Sequence, residues 1–170
     1  MNSQLKRRAG KIKALALDVD GVLTNGLLYL DSEGRELKAF STRDGLGLRA
    51  FINSGLEIFI ISGRQSEAVN IRAKDLGIAH VYQNIIDKLT LLKQLCGQLN
   101  FTLDEVAYMG DDLNDLECLT SVGLALAPSD AAEDIKNIVH FISQYPGGQG
   151  AVRQACELIL RAQNLWKIVS

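Results

Sequence analysis

The chain has 170 residues, of which 47% are hydrophobic and 22% charged, values that are ordinary for a globular protein. Its 18 basic and 20 acidic residues give a net charge of −2, so the overall charge does not favour nucleic acid or an anionic membrane as a partner. The three cysteines are scattered and form no CxxC pair, which favours free thiols in a reducing compartment. We therefore expect a cytoplasmic protein with a single domain over residues 1–170.

The chain alternates between short apolar runs and amphipathic segments. Ala14–Val19 predicts a first strand, residues 26–41 predict a β-hairpin, and the continuously apolar Leu56–Ile61 is typical of a strand covered on both faces. Further strands are predicted at His80–Tyr82, Val106–Met109, Gly123–Ala127 and Ile138–Ile142. Helices are predicted at Asp44–Ser54, from Ser66 to about Asp75, and at Asp87–Leu99, Leu113–Leu119, Ala131–Lys136 and Ala151–Gln163. This alternation indicates an α/β fold with a doubly wound, Rossmann-like parallel sheet.

Polar side chains follow the predicted strands at the points where those strands end. Asp18 and Asp20 come after the first strand, and Ser62 and Asp111 each follow a later strand. Lys88 begins a helix soon after another strand. Because ligands bind beyond the carboxyl ends of strands in doubly wound sheets, we expect these side chains to converge.

The expected cluster is suited to phosphoryl transfer. Asp18, Asp20 and Asp111 offer hard oxygen ligands, which favour Mg²⁺ over softer metals. With the cation present, one aspartate can approach an anionic phosphate and attack it, while a second acts as acid and then as base. Ser62 and Lys88 could hold the phosphoryl oxygens. The spacing is compatible with an acyl-phosphate route but does not prove it.

Four motifs in this order resemble those of the haloacid dehalogenase superfamily. DVDGV at 18–22 resembles the first motif, Ser62 the second, Lys88 the third and GDDLND at 110–115 the fourth. Only the predicted hairpin lies where capped members carry an extra domain, so the resemblance implies a member without a cap domain.

Three further segments are similar to the capless 3-deoxy-D-manno-octulosonate 8-phosphate phosphatase family of lipopolysaccharide biosynthesis. They are TRDGLGLR (42–49), ISGR (61–64) together with Arg72, and PGGQGAVR (146–153). This resemblance implies a Mg²⁺-dependent phosphatase of a phosphorylated sugar acid that assembles as a homotetramer. It also implies that a neighbouring subunit helps to cover the active site. The candidate segment is Gly147–Gly150, within the glycine-rich tail and helix at about 146–165, although these glycines could also form only a flexible turn.

The resemblance also implies a role for each matching residue. Asp18 would be the nucleophile and a metal ligand, Asp20 the acid/base and a ligand through its main-chain carbonyl, and Asp111 the remaining protein ligand. Ser62 and Lys88 would hold the phosphoryl group. The implied substrate-binding residues are Asp20, Ser41, Thr42, Arg43, Asp44, Gly45, Arg49, Arg64, Arg72 and Lys88.

Several alternatives stay open at this point. Asp112 and Asp115 could cap the following helix or orient a metal-bound water, and Arg64 and Arg72 could be ordinary surface residues. The substrate could be a nine-carbon ulosonate 9-phosphate, because one carbon changes pocket discrimination by only a few kcal/mol. The chain could also be a non-catalytic phosphatase-like interaction module. A response-receiver domain is disfavoured because its lysine should follow its aspartates, whereas Lys88 precedes Asp111.

Overall fold

Short apolar runs form the central sheet of the protein. The computed structural model describes residues 2–166. Its strands are β1 Ala14–Leu17, β2 Tyr29–Leu30, β3 Glu36–Leu37, β4 Glu57–Ile61, β5 His80–Tyr82, β6 Val106–Met109, β7 Leu124–Ala127 and β8 Phe141–Ile142. Six of them form a parallel sheet in the order β5-β4-β1-β6-β7-β8, while β2 and β3 pair separately. Every residue of β1, β6 and β7 is buried, as expected for strands covered on both faces.

Helices cover both faces of this sheet. Within residues 2–166 they are α1 Ser3–Ala9, α2 Thr42–Asn53, α3 Glu67–Leu76, α4 Lys88–Leu99, α5 Leu116–Ser121, α6 Glu133–Lys136 and α7 Ala151–Ala162. One hydrophobic cluster joins the sheet to α2, α3 and α7, and a second joins it to α4, α5 and α6. The predicted doubly wound α/β fold is therefore confirmed. No helix in this part of the chain has the length and apolar character needed to cross a lipid bilayer.

The element boundaries differ from the predicted ones for local reasons. Helix α2 begins two residues earlier than predicted, because the Ser41 hydroxyl accepts a hydrogen bond from the Asp44 amide at 3.3 Å and caps its first turn. The predicted helix at Leu113–Leu119 opens as a 3₁₀ turn at Leu113–Asp115 before α5 begins. Helix α1 was not predicted, because its seven residues are too few to show a helical apolar period.

The predicted β-hairpin is present, and it carries several exposed apolar side chains. Tyr29 pairs with Leu37 and Leu30 with Glu36 in an antiparallel ladder. Leu30 and Leu37 are 64% and 62% exposed, and Leu27 and Leu28 are exposed as well. The hairpin therefore presents leucines to its surroundings instead of burying them against its own core.

The glycine-rich segment at residues 146–150 packs against the loop that follows β1. The Gly148 amide donates to the Val22 carbonyl at 2.9 Å. A Cβ on Gly147 would lie 1.8 Å from the Gly21 carbonyl oxygen, so only glycine permits this approach. In this structure the segment thus braces the loop of its own chain that carries Asp20.

We expect Gly147→Ala to lower the free energy of unfolding by about 1–3 kcal/mol, because the added methyl group overpacks this contact. Gly97→Ala is the matched control. Gly97 lies in α4 with open space around its Cβ position, so alanine should stabilise the protein by up to about 1 kcal/mol. Urea unfolding of both variants measures the difference, and equal midpoints would contradict the packing described here.

Candidate active site

Polar residues from several loops border one cavity at the carboxyl edge of the sheet. The cavity has a volume of about 490 Å³. Its lining includes Asp18, Asp20, Ser62, Arg64, Asp111 and Asp112. Asp18 follows β1, Ser62 follows β4 and Asp111 comes two residues after β6. The predicted convergence of these strand-end residues is what the structure shows.

The cavity lies at the point where the order of strands reverses. From β1 the chain builds outward through β4 to β5, then crosses back to place β6 on the other side of β1. Loops after β1 and β6 therefore diverge and leave a crevice, the usual ligand site of such sheets. Gly21 lets the β1 loop pass close to Asp111, since its φ is +86° and a Cβ would lie 2.0 Å from Asp111 Oδ2.

Lys88 forms a buried ion-paired cluster with two aspartates. Its Nζ lies 3.1 Å from Asp18 Oδ1 and 2.7 Å from Asp115 Oδ1. All three side chains are almost completely buried. Burial alone would lower the pKa of Lys88, but the charges of Asp18 and Asp115 raise it above its usual value. The lysine therefore stays charged and reaches Asp18 from the protein interior, and its predicted hold on the phosphoryl group stays a prediction.

Asp115 joins this cluster to the strand β6 and to the loop that follows it. Its Oδ1 also accepts a hydrogen bond from the Tyr108 hydroxyl at 2.7 Å, and its Oδ2 accepts one from the Asp111 amide at 3.1 Å. Both oxygens are thus occupied by protein donors. Tyr108 was not identified from the sequence. Its signal was a hydroxyl inside an otherwise apolar buried strand, because such a hydroxyl requires a hydrogen-bond partner.

The carboxylate cluster suits a divalent cation. Oxygen atoms of Asp18, Asp111 and Asp115 all lie within 4.8 Å of one another. Burial, followed by repulsion from Asp115, raises the pKa of Asp18 to about 6. Burial and the charges of Asp18 and Asp115 raise the pKa of Asp111 to about 7. One lysine does not balance three carboxylates, so a hard cation held by Asp18 and Asp111 fits both the oxygen donors and the excess negative charge.

Asp20 belongs to a second group of charges that connects the cavity to the hairpin. Its Oδ1 accepts a hydrogen bond from Lys38, and its Oδ2 lies 3.7 Å from Arg64 Nε. Glu36 lies 2.5 Å from Lys38 Nζ through Oε1, and its Oε2 accepts a hydrogen bond from Arg64 at 2.9 Å. We call Asp20, Lys38, Glu36 and Arg64 the charge ring. Neither Lys38 nor Glu36 was identified from the sequence.

Asp112 and Ser62 occupy the cavity wall with local hydrogen bonds. The Asp112 carboxylate accepts from the Leu113 amide at 2.7 Å, as a cap of the 3₁₀ turn does. The buried Ser62 hydroxyl accepts from the Arg64 amide at 3.2 Å. Each therefore has a structural contact together with access to the cavity.

Most of the predicted sugar-binding residues lie away from this cavity in the same chain. Arg49 and Arg72 both pair with Asp75 on the outer surface, and Arg72 also donates to the Ser41 carbonyl at 3.3 Å. Gly45 lies against Arg72, where a Cβ would be 2.3 Å from the guanidinium. Of the arginines predicted to bind substrate, Arg64 borders the cavity with Asp18.

The remaining predicted residues of this stretch are divided between surface and core. Thr42 and Arg43 are exposed, and Arg43 borders a different cavity with Arg153. Asp44 is buried, and its carboxylate accepts hydrogen bonds from the amides of Gly150 at 3.2 Å and Arg153 at 2.8 Å. Within one chain, Asp44 thus anchors the start of α7 to α2, and a role in substrate binding stays a prediction.

The raised pKa values of Asp18 and Asp111 predict a pH-dependent response to Mg²⁺. Without metal, the folded protein binds more protons than the unfolded chain between about pH 4 and 7. The contribution of these two groups to the free energy of unfolding therefore falls as pH rises through that range. A cation replaces the protons, so the stabilisation by Mg²⁺ should grow from pH 5 to pH 8. Unfolding curves with Mg²⁺ and with EDTA measure this difference; Asp111→Asn should reduce it, and a response independent of pH would contradict the assignment.

Comparison with known proteins agrees with this geometry. A family model for haloacid dehalogenase-like hydrolases matches residues 66–154. The chain is 44% identical over 158 residues to the 3-deoxy-D-manno-octulosonate 8-phosphate phosphatase of Yersinia pestis, covering 93% of this chain and 84% of that protein. It is 43% identical over 157 residues to the phosphatase of the same name from Escherichia coli K12, covering 92% and 84%.

Solved structures extend the comparison to the metal. The phosphatase of Moraxella catarrhalis, in complex with magnesium ion, phosphate ion and KDO molecule, has a TM-score of 0.94 at 44% identity, covering 96% of this chain and 94% of that one. A cobalt-bound Haemophilus influenzae relative has a TM-score of 0.88 at 36% identity, covering 92% of each chain. The predicted Mg²⁺ cofactor is confirmed for the family, and the carboxylate cluster here matches it. The chain therefore belongs to the haloacid dehalogenase-like hydrolases and, among them, to the capless 3-deoxy-D-manno-octulosonate 8-phosphate phosphatase family.

Proposed function

We propose that this protein hydrolyses 3-deoxy-D-manno-octulosonate 8-phosphate to the free sugar acid and phosphate, as a step of lipopolysaccharide biosynthesis. The observation that carries the proposal is the buried pairing of Lys88 with Asp18 at the wall of a cavity that also contains Asp111. Relatives that are over 40% identical to this chain across the aligned residues bear the name of that activity. The reaction is a phosphoric monoester hydrolysis through an aspartyl-phosphate.

Each proposed step uses a residue at this cavity. Asp18 attacks phosphorus in line with the leaving oxygen and forms an acyl-phosphate as the P–O bond to the sugar breaks. Asp20 gives a proton to the departing oxygen, then takes one from the water that attacks the acyl-phosphate. Phosphate leaves and the Asp18 carboxylate is restored.

The remaining residues hold charge in place during this sequence. Lys88 orients Asp18 and balances its charge from behind, and Ser62 offers a hydroxyl to a phosphoryl oxygen at the cavity wall. Mg²⁺, held by Asp18, Asp111 and the main-chain carbonyl of Asp20, would neutralise the carboxylates and the phosphoryl oxygens. The pKa values of Asp18 and Asp111, raised to about 6 and about 7, express how unfavourable these buried anions are without such a partner.

We further propose a cytoplasmic homotetramer. The hairpin leucines are exposed in the single chain, and an exposed apolar patch of this kind favours burial against another subunit. Ser41, Thr42, Arg43, Arg49 and Arg72 are at least partly exposed and lie outside the cavity of their own chain, so their predicted contact with the sugar acid is most readily made at a neighbouring subunit's site. Three free cysteines, all buried and unpaired, agree with a reducing compartment.

A nine-carbon ulosonate 9-phosphate is the second candidate substrate, because the charged residues at the cavity do not distinguish an eight-carbon from a nine-carbon sugar acid. A non-catalytic role is disfavoured, because all five motif residues are present and four of them lie on the cavity wall. The four are Asp18, Asp20, Ser62 and Asp111, and the fifth is Lys88.

Asp18→Asn tests whether the protein is a phosphatase at all. The amide cannot form the acyl-phosphate, so we expect phosphate release to fall by about a thousandfold or more. Asp134→Asn, a change at an exposed site in α6, is the matched control and should keep wild-type rates. Malachite-green detection of phosphate with Mg²⁺ measures both, and an Asp18→Asn enzyme with wild-type turnover would exclude this nucleophile.

A substrate panel tests which ester is hydrolysed. We expect kcat/KM to be highest for 3-deoxy-D-manno-octulosonate 8-phosphate, lower for the nine-carbon acid and lowest for neutral sugar phosphates, because Arg64 at the cavity wall offers a charged donor to a carboxylate. Arg64→Met should weaken this preference, while Arg161→Met on the outer surface of α7 should not change it. Strong hydrolysis of nucleotides or phosphoproteins, with none of sugar acids, would refute the substrate assignment.

A further inference from the structure

The charge ring places a lysine from the hairpin against the acid/base. We propose that Lys38 is a positioning residue that orients the Asp20 carboxylate for proton transfer to the leaving oxygen. This inference rests on the proposed phosphatase function and deepens it, since it adds a residue outside the motifs that the sequence revealed. The following contacts support it.

Lys38 is buried to an extent that a surface hairpin residue does not require. Its side chain is 2% exposed, although the neighbouring Leu37 is 62% exposed. A lysine ammonium is rarely buried without paired anions, because removing it from water is costly. Its two partners are the Asp20 carboxylate, by hydrogen bond, and Glu36 Oε1, an ion-pair contact outside hydrogen-bond geometry. The hairpin therefore turns Glu36 and Lys38 toward Asp20 and Arg64, and Leu37, between them in sequence, lies on the opposite face.

The ring controls the orientation of Asp20. Within residues 2–166, the side-chain ion pairs of the Asp20 carboxylate are with Lys38 and Arg64. Without Lys38, Asp20 and Glu36 would face each other as two carboxylates with only Arg64 between them. Two carboxylates that share a cation repel each other once that cation is removed, so the Asp20 side chain would rotate from its present position.

Lys38 and Arg64 differ in their freedom to leave the ring. The Arg64 side chain is 50% exposed and borders the cavity, where it can turn to a substrate carboxylate. Lys38 is enclosed, so it stays paired with Asp20 when Arg64 turns toward the substrate carboxylate. Because a general acid must lie within about 2.6–3.2 Å of the atom it protonates, a fixed partner for Asp20 bears directly on the first chemical step.

The leaving group separates positioning of the acid from general structural damage. A sugar alkoxide needs a proton as it departs, whereas nitrophenolate leaves as a stable anion. Since kcat/KM reports the steps up to departure of the leaving group, the later use of Asp20 as a base does not enter the comparison. The assay compares p-nitrophenyl phosphate with the alkyl phosphate that the wild-type protein hydrolyses best.

We expect Lys38→Met to lower kcat/KM for the alkyl phosphate about 10- to 100-fold, part of what general acid catalysis contributes, and to keep kcat/KM for p-nitrophenyl phosphate within about threefold of wild type, since that ester needs no acid. Lys38→Arg, which keeps the cation, should recover most of the loss. Arg35→Met is the matched control: it removes a cation from the same hairpin, but Arg35 is 70% exposed and pairs with Asp31 and Glu33 in the turn. It should leave both substrates unchanged.

Glu36→Gln provides a second variant of nearly equal volume, with Glu33→Gln as its control. Loss confined to the alkyl phosphate in Glu36→Gln, smaller than in Lys38→Met, would support the ring as a unit. Equal losses on both esters, a change in KM alone, or no loss in Lys38→Met would overturn the inference. If the wild-type protein hydrolyses alkyl phosphates but no sugar acid, the substrate assignment fails while the Lys38 comparison stands. A wild-type protein inactive on every ester would overturn both the proposed phosphatase function and the inference about Lys38.

Discussion

The buried pairing of Lys88 with Asp18 and Asp115 is the interaction on which the rest of the site depends. It brings a charge from the start of α4 beneath the loop after β1 and joins it to the loop after β6 through Asp115. Removing one member would leave an unpaired charge in the interior, which is far more costly than the pair itself. The same group of atoms therefore organises three loops and positions Asp18, the proposed nucleophile.

This arrangement leaves the protein with more buried anions than cations. Asp18 and Asp111 respond by pKa values raised to about 6 and about 7. This excess of negative charge fits the proposed function, in which a divalent cation held by Asp18 and Asp111 would supply the missing positive charge and attract a phosphate to the same place. A site whose carboxylates were all balanced by cationic side chains would be more stable without metal, and it would have little affinity for a cation.

In the proposed function the hairpin would connect catalysis with assembly, because its two faces differ in character. Glu36 and Lys38 lie on the face that forms ion pairs with Asp20 and Arg64, and Tyr29 and Leu37 lie on the opposite face. In an isolated two-stranded ribbon this orientation would be unfavourable, since it leaves apolar side chains exposed to water. It becomes favourable if the charged face is fixed by Asp20 and Arg64 while the apolar face packs against another subunit, as we propose.

By itself, the sequence determined the fold class, the order of strands and helices from β1 onward and the strand-end residues Asp18, Asp20, Ser62 and Asp111. Hydrophobic periodicity and the position of polar residues after apolar runs are local properties of the chain. Only the tertiary structure decided that Tyr108 and Asp115 support Lys88, that Asp44 anchors α7, and that Lys38 is buried against Asp20. An alternating stretch such as GRELKAF predicts a strand with one polar face but does not say which face turns inward. That choice depends on charges brought close by distant segments, and it is made when the whole chain packs.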